Sequence, residues 1–191
     1  MPRHRDPDLE ERILKAAHAL WRRGGEKALT MRAVALAAKT NTPAVYRRFQ
    51  DRGEILQGLV GMVAAKLRQA FENCETIEDM GEAYVEFALR NPHDYELFYA
   101  HLHEVTPKKL TGKARAIRDS RPNFAFLETR LVERFGGSVD DYTQISLAIW
   151  ALVHGTASLL LTKAIPEGHE EELRSAFRIT ANRLIASAGT P

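Results

Sequence analysis

The chain has 191 residues, 27% charged and 45% hydrophobic, and reads as soluble and globular, with room for a sizeable core in one or two domains. Its net charge of +2 hides an asymmetry: residues 1–56 hold 12 Lys/Arg against 7 Asp/Glu, a net of +5, and residues 57–191 hold 15 against 18, a net of −3. Cys74 is the only cysteine, which excludes an intrachain disulfide and a multi-cysteine zinc site and fits a reducing cytoplasm.

Strand signals are weak along the chain and a helical period dominates, so the fold class is all-α, with about nine helices. The opening residues, Met-Pro-Arg-His-Arg-Asp-Pro-Asp-Leu-Glu, form no apolar run and are not expected to be a secretory signal. A first helix is predicted from about Pro7 to Arg23, with Leu9, Ile13, Ala16, Ala17, Leu20 and Trp21 as its core stripe and Gly24-Gly25 as its stop. Residues 30–52 then spell two short helices joined by a tight turn. Thr30 is placed to cap the first through its hydroxyl, and Met31, Val34, Ala35 and Ala38 fall on one face. Lys39-Thr40-Asn41 leaves room only for a sharp turn. Thr42 is the expected N-cap of the second helix and Pro43 its first residue, since proline lacks the N–H that position leaves unpaired. Val45 and Phe49, four apart, face the bracing helix, and Tyr46, Arg47 and Arg48 cannot all share that buried face. Asp51 caps the next helix, with Glu54 three residues on completing a capping box. This is the design of a helix-turn-helix, and the basic excess of residues 1–56 coincides with it, as a DNA-facing surface requires.

Further along, a long helix is predicted over about Arg52–Asn73, with Ile55, Leu56, Leu59, Val63 and Leu67 turned inward. Helices follow over about Ile77–Arg90 and from Pro92 through Leu102. Residues 104–119 are charged, contain Pro107 and Gly112, and read as a connection or a poorly packed short helix. The remaining helices are Arg121–Phe135, Val139–Lys163 and Glu170–Ala188. Tyr142 to Thr162 carries no Asp, Glu, Lys or Arg and is long enough to span a bilayer, yet it contains Gln144, His154 and Gly155. The expectation is a helix buried on most sides by protein and no membrane partner.

The segment 9–56 resembles the DNA-binding domain of the tetracycline-repressor (TetR) family of bacterial transcription regulators. The resemblance rests on Gly25, Leu29-Thr30-Met31-Arg32, Val34-Ala35, Pro43-Ala44-Val45-Tyr46-Arg47-Arg48-Phe49 and Arg52-Gly53-Glu54-Ile55-Leu56. The sequence departs from the family where Lys39 replaces a usual turn glycine, Thr40 a usual valine and Arg52 a commoner lysine. Lys39 is thereby a candidate for strained backbone dihedrals. In the C-terminal half, Trp150, His154 and Gly155 within A-I-W-A-L-V-H-G-T resemble the Trp-His-Gly subgroup of such C-terminal domains, as do Asn91-Pro92, Tyr95 and Leu97-Phe98-Tyr99.

The resemblance implies a DNA-binding domain over 1–56, a ligand-binding and dimerisation domain over 57–191, and a ligand-responsive repressor that binds a palindromic operator as a homodimer. Tyr46 is expected to bond a phosphate, with Thr30, Arg48 and Arg52 as further backbone contacts. Thr42, Pro43, Ala44 and Arg47 lie nearest the base edges, Arg47 suited to guanine and the other two apolar residues to a thymine methyl. Arg3 and Arg5 are candidates for an additional electrostatic contact. Met62, Tyr84, Phe87, Phe98, Leu102, Phe124, Leu127, Trp150 and His154 are candidate lining residues of an effector cavity, mostly apolar, which points to a small hydrophobic effector. Ile145, Ile149, Leu152, Leu159, Leu160, Phe177, Ile179 and Leu184 are the expected dimer seam, forming a four-helix bundle. An effector packed on the C-terminal half of the Arg52–Asn73 helix is expected to tilt it and change the spacing of the two recognition helices.

Seven histidines invite a metal site, but His101 and His103 are two apart on a helix and point to different sides, and no H-E-x-x-H pattern is present. No nucleophile elbow, phosphate-binding glycine loop or dinucleotide fingerprint occurs, so no cofactor is expected and a small helical enzyme is the weakest alternative. A ligand-independent architectural DNA-binding protein is the other. Binding to one palindromic site, released by a small molecule, separates the regulator from both.

Overall fold

A computed structural model describes residues 8–102 and 117–189. The expected contacts of Arg3 and Arg5, the start of the first helix at Pro7, His103 and most of the 104–119 connection lie outside the described residues. Among the described residues there are nine α-helices and no strand. The contacts divide the chain into two compact units, one within Met1–Val63 and His93–Thr106, the other within Ala64–Pro92 and Pro107–Pro191.

The first unit is built on α1 (Leu9–Ala28), whose Leu9, Ile13, Ala17 and Trp21 recur every four residues and are buried. The helix does not stop at Gly24-Gly25 but kinks there: Gly24 is at φ −152°, Gly25 at φ 60° and ψ −153°, and a last turn continues to Ala28. That Gly25 conformation is closed to side chains with a Cβ. α2 (Met31–Ala37) packs on α1, and α3 (Thr42–Tyr46) packs on α2. α4 (Arg52–Glu72) contributes Ile55, Leu56, Leu59, Val60 and Val63 to this core. Gly58 lets α1 come close, because a Cβ there would stand 2.6 Å from Leu14 Cδ2. α6 (Pro92–His101) supplies Asp94, Tyr95, Leu97 and His101, all buried. It is tied to α1 by polar bonds: His18 Nε2 lies 2.6 Å from Asp94 Oδ1, and Trp21 Nε1–H donates to the His93 carbonyl at 3.0 Å. The first unit therefore holds more than residues 1–56, and the unit boundary runs through α4.

The second unit packs α5 (Ile77–Arg90) on α8 (Thr143–Leu161) and α9 (Glu170–Ser187), with α7 (Pro122–Phe135) on α8. Thr76 and Asp79 cap α5 reciprocally, each side chain accepting the other's backbone N–H at 3.1–3.2 Å. Met80, Tyr84, Val85, Leu131, Ile149, Val153, Phe177 and Ile185 form the core. One carboxylate sits inside it. Glu128 is fully buried and accepts from Arg118 Nε at 2.6 Å, from a second Arg118 nitrogen at 3.0 Å and from Thr143 Oγ1 at 2.8 Å. Its oxygens are satisfied, so removing either partner would strand a buried charge.

Three expectations change. Val139–Tyr142 is a short 3-10 turn rather than the start of α8. α8 is long and apolar enough by length and composition to cross a membrane, but only 28% of its most apolar window is buried within the chain, so it is not covered on most sides. Phe177 and Ile149, expected in a dimer seam, belong to the core of the subunit: Phe177 is 2% exposed, with its ring against Gly81.

Gly25 gives a direct test. Gly25→Ala should cost about 1–3 kcal/mol of unfolding free energy, because the kink then needs a backbone region alanine avoids. Denaturant unfolding measures it, and an unchanged midpoint would show that the kink does not depend on glycine.

Candidate nucleic-acid interface

The helix-turn-helix is assembled from local bonds. Thr30 Oγ1 accepts from the Ala33 N–H at 3.1 Å and starts α2. α2 ends in a Schellman motif: the Thr40 N–H reaches the Ala35 carbonyl at 2.9 Å and the Lys39 N–H the Leu36 carbonyl at 3.1 Å. That motif puts Lys39 at φ 53°, the strained left-handed conformation anticipated where a glycine is usual. A side chain there costs about 1–2 kcal/mol, partly offset by the attraction of its charge to the helix C-terminus. Asn41, not Thr42, caps α3, its Oδ1 accepting from the Ala44 N–H at 2.9 Å. Thr42 and Pro43 then occupy the first helical positions, where a missing N–H is harmless. Asp51 caps α4 through the Glu54 N–H at 2.9 Å. The Glu54 carboxylate reaches back to the Gln50 N–H at 2.6 Å, one residue beyond the Asp51 N–H of the expected box.

Burial sorts the candidate residues. Val45 and Phe49 are buried, as is Ala44 at 4%. Ala44 therefore offers no surface to a thymine methyl, and its expected base contact is withdrawn. Tyr46 is 52% exposed, Arg47, Pro43 and Thr30 are exposed, and Thr42 and Arg48 are half-buried. Arg47 makes no ion pair among the described residues. Arg52 is engaged with Glu26 at 2.7 Å across a half-exposed pair. Arg32 on α2 and Lys39 in the turn are exposed cations that the sequence reading does not name as DNA contacts. Leu36, on the same short helix, is 80% exposed.

In the second unit, two pairs of the expected effector-lining residues are brought together. Tyr84 Oη is 3.4 Å from His154 Nδ1, and the Phe124 and Trp150 ring centroids are 6.0 Å apart. Phe87 and Leu127 are buried there as well. Met62, Phe98 and Leu102 belong to the first unit and are each half-buried. Burial holds the His154 imidazole below the ordinary histidine range, which favours the neutral ring and an Nδ1 able to accept from Tyr84. The groove where α5 begins beside α7 is of another kind. Arg134 bonds both Glu78 oxygens at 2.8 and 2.9 Å, and Arg130 donates to the Glu75 carbonyl at 2.7 Å and lies 3.4 Å from Glu133, so both of its arginines are already engaged. Among the described residues no group of three His, Cys, Asp or Glu is placed to hold a metal ion.

A capped helix, a tight turn and a second helix with one buried face, followed at once by the exposed Arg47, define a helix-turn-helix of a DNA-binding regulator. Family comparison agrees. A profile described as "Bacterial regulatory proteins, tetR family" matches residues 13–59, and one described as "Tetracyclin repressor-like, C-terminal domain" matches residues 77–184. The chain belongs to the TetR family of transcription regulators. Solved structures share its fold. A protein of unknown function from Rhodococcus sp. RHA1 is 21% identical, with 98% of each chain covered and a TM-score of 0.68. The regulator SCO7222, a TetR from Streptomyces coelicolor, is 16% identical over 94% of this chain and 97% of its own, TM-score 0.67. A TetR variant from Acinetobacter baumannii AYE, in complex with minocycline, is 18% identical over 92% and 93%, TM-score 0.59. No curated protein matches the chain significantly.

The environment of His154 sets a pH dependence. Its folded pKa lies below the unfolded value of about 6.5, so the unfolded chain binds the proton more readily. This group's contribution is full above about pH 6.5 and is lost as the pH falls through the window below it. His154→Gln should therefore lose less stability than the parent between neutral and mildly acidic pH, read by denaturant midpoints. Equal losses would contradict a neutral buried imidazole.

Proposed function

We propose that this TetR-family chain is a ligand-responsive repressor that binds a palindromic operator as a homodimer in the cytoplasm. The observation that carries the DNA reading is the two-sided segment formed by α3 and the turn that follows it: Ala44, Val45 and Phe49 are buried while Tyr46 and Arg47 stand free. In this reading α3 enters the major groove with Thr42, Pro43 and Arg47 toward the base edges, and Arg47 bonds guanine through two N–H groups. Tyr46, Thr30, Arg48 and Arg52 meet the sugar-phosphate backbone, which positions the protein without reading sequence. Arg52 exchanges its Glu26 partner for phosphate on binding. One such unit reads only a few base pairs, and a two-fold dimer doubles the contacts.

The dimer reading is supported by uncovered apolar surface. Leu147, Leu159 and Ile179 are large and exposed on α8 and α9, and Ile145, Leu152, Leu160 and Leu184 are half-buried. A seam of these residues, without Phe177 and Ile149, would hide an apolar face that water otherwise meets. The effector reading rests on the second unit: Tyr84, Phe87, Phe124, Leu127, Trp150 and His154 offer aromatic and aliphatic surface with a hydroxyl and an imidazole to fix orientation. These residues suit a small hydrophobic compound, uncharged or weakly charged, and Trp150, His154 and Gly155 support reading the domain as one of the Trp-His-Gly subgroup. Because α4 is continuous from Arg52 to Glu72, an effector that prefers one of its orientations shifts the equilibrium of the DNA-binding form.

Mobility-shift titrations separate the two kinds of DNA contact. Tyr46→Phe should weaken binding to every duplex alike, whereas Arg47→Ala should relax preference at one base pair per half-site by roughly 1–3 kcal/mol. A Tyr46→Phe loss confined to one sequence would reverse its assignment. Light scattering tests the seam. The parent should be a dimer at micromolar concentration, and Leu159→Glu should yield monomers because charge is then buried without a partner. A monomeric parent would refute the dimer.

A further inference from the structure

We propose that Lys39 is a DNA-contacting residue whose ammonium meets a backbone phosphate at the rim of the groove entered by α3. The inference deepens the reading of α3 as the recognition helix and rests on it. Lys39 occupies the left-handed position of the Schellman motif that ends α2, at φ 53°, where glycine would carry no strain. A strained residue that a simpler one could replace draws attention to its side chain. That side chain is exposed and, among the described residues, forms no ion pair. The turn also fixes where it stands. Lys39 is two residues before Asn41, the N-cap of α3, so their Cα atoms are no more than about 7.6 Å apart. In a helix-turn-helix the N-terminal end of the second helix is the end at the bases, with the phosphates of the groove wall beside it. A lysine there reaches phosphate as a mobile point charge and tolerates any base sequence.

The chain contains its own control. Lys163 has the same backbone, φ 52°, in the same motif: the Ala164 N–H bonds the Leu159 carbonyl at 3.1 Å and the Lys163 N–H the Leu160 carbonyl at 3.3 Å. It ends α8 in the second unit, and the helix-turn-helix belongs to the first. Both lysines thus hold a left-handed φ in the same motif, and DNA contact is expected at only one.

The test uses the full-length protein and a fluorescent duplex of arbitrary sequence, roughly 30 base pairs long, since phosphate contacts act on any DNA. Anisotropy titrations across about 50–200 mM salt give the slope of log affinity against log salt. Lys39→Gly and Lys39→Asn, the latter tolerant of the left-handed region, should each lower that slope by about 0.9 per bound protomer. Lys39→Gly and Lys163→Gly should both raise the melting temperature, and Lys163→Gly should keep the parental slope. Lys39 variants with the parental slope would overturn the contact while leaving the recognition helix intact. A parent protein with no salt-dependent binding would overturn the recognition-helix reading and the lysine contact together.

Discussion

Everything proposed for DNA recognition depends on how a five-residue helix is held. α3 runs only from Thr42 to Tyr46. A helix this short cannot persist alone, because the cost of nucleation exceeds what so few hydrogen bonds return. Its order is imposed from outside by three things: the Asn41 cap, the Schellman turn that precedes it, and the burial of Ala44, Val45 and Phe49 beside Val34 and Ala35 of α2. The same packing decides function. Once Val45 faces inward, Tyr46 and Arg47 have no choice but to face out. Core and interface are two faces of one short element, and a change to either alters both.

Polar bonds set into apolar surroundings supply much of the remaining specificity. The His18–Asp94 pair and the Trp21–His93 carbonyl bond join α1 to α6 at sites a purely apolar contact would leave free to slide. In the second unit, Glu128 anchors Arg118 and Thr143, fixing the approach to α7 and the start of α8. Such bonds fix register more than they add stability, since each removes charge or dipole from water. α6 joins the helix-turn-helix unit although the C-terminal part of α4 and all of α5 separate them in the chain.

Much of this was legible in the sequence because it is written locally. Helical periodicity located the helices, and the Thr30 cap, the proline at the start of α3 and the lysine at a glycine position each follow from the chemistry of one or two residues. What escaped is non-local or a matter of one register step. Asn41 and Thr42 are both good caps, and only the turn geometry chooses between them. Ala44 is small enough for either face of α3, so composition could not show that it is buried. Phe177 read as surplus apolar surface until α5, bearing Gly81, was seen to cover it. The Arg52–Glu26 pair links residues far apart in the chain, which no short motif encodes. Tyr84, Phe124, Trp150 and His154 stand out in the sequence by residue type alone, and their pairing comes from the packing of α5, α7 and α8.

The central claim is that two copies of α3 read DNA from a two-fold symmetric dimer. Selection of binding duplexes from a random-sequence pool, using the purified parent protein, tests it most directly. The account predicts that the enriched sequences converge on an inverted repeat whose half-site centres lie about one helical turn, 10–10.5 base pairs, or a multiple of it apart. Enrichment of a single unrepeated site, or of no sequence at all, would contradict it.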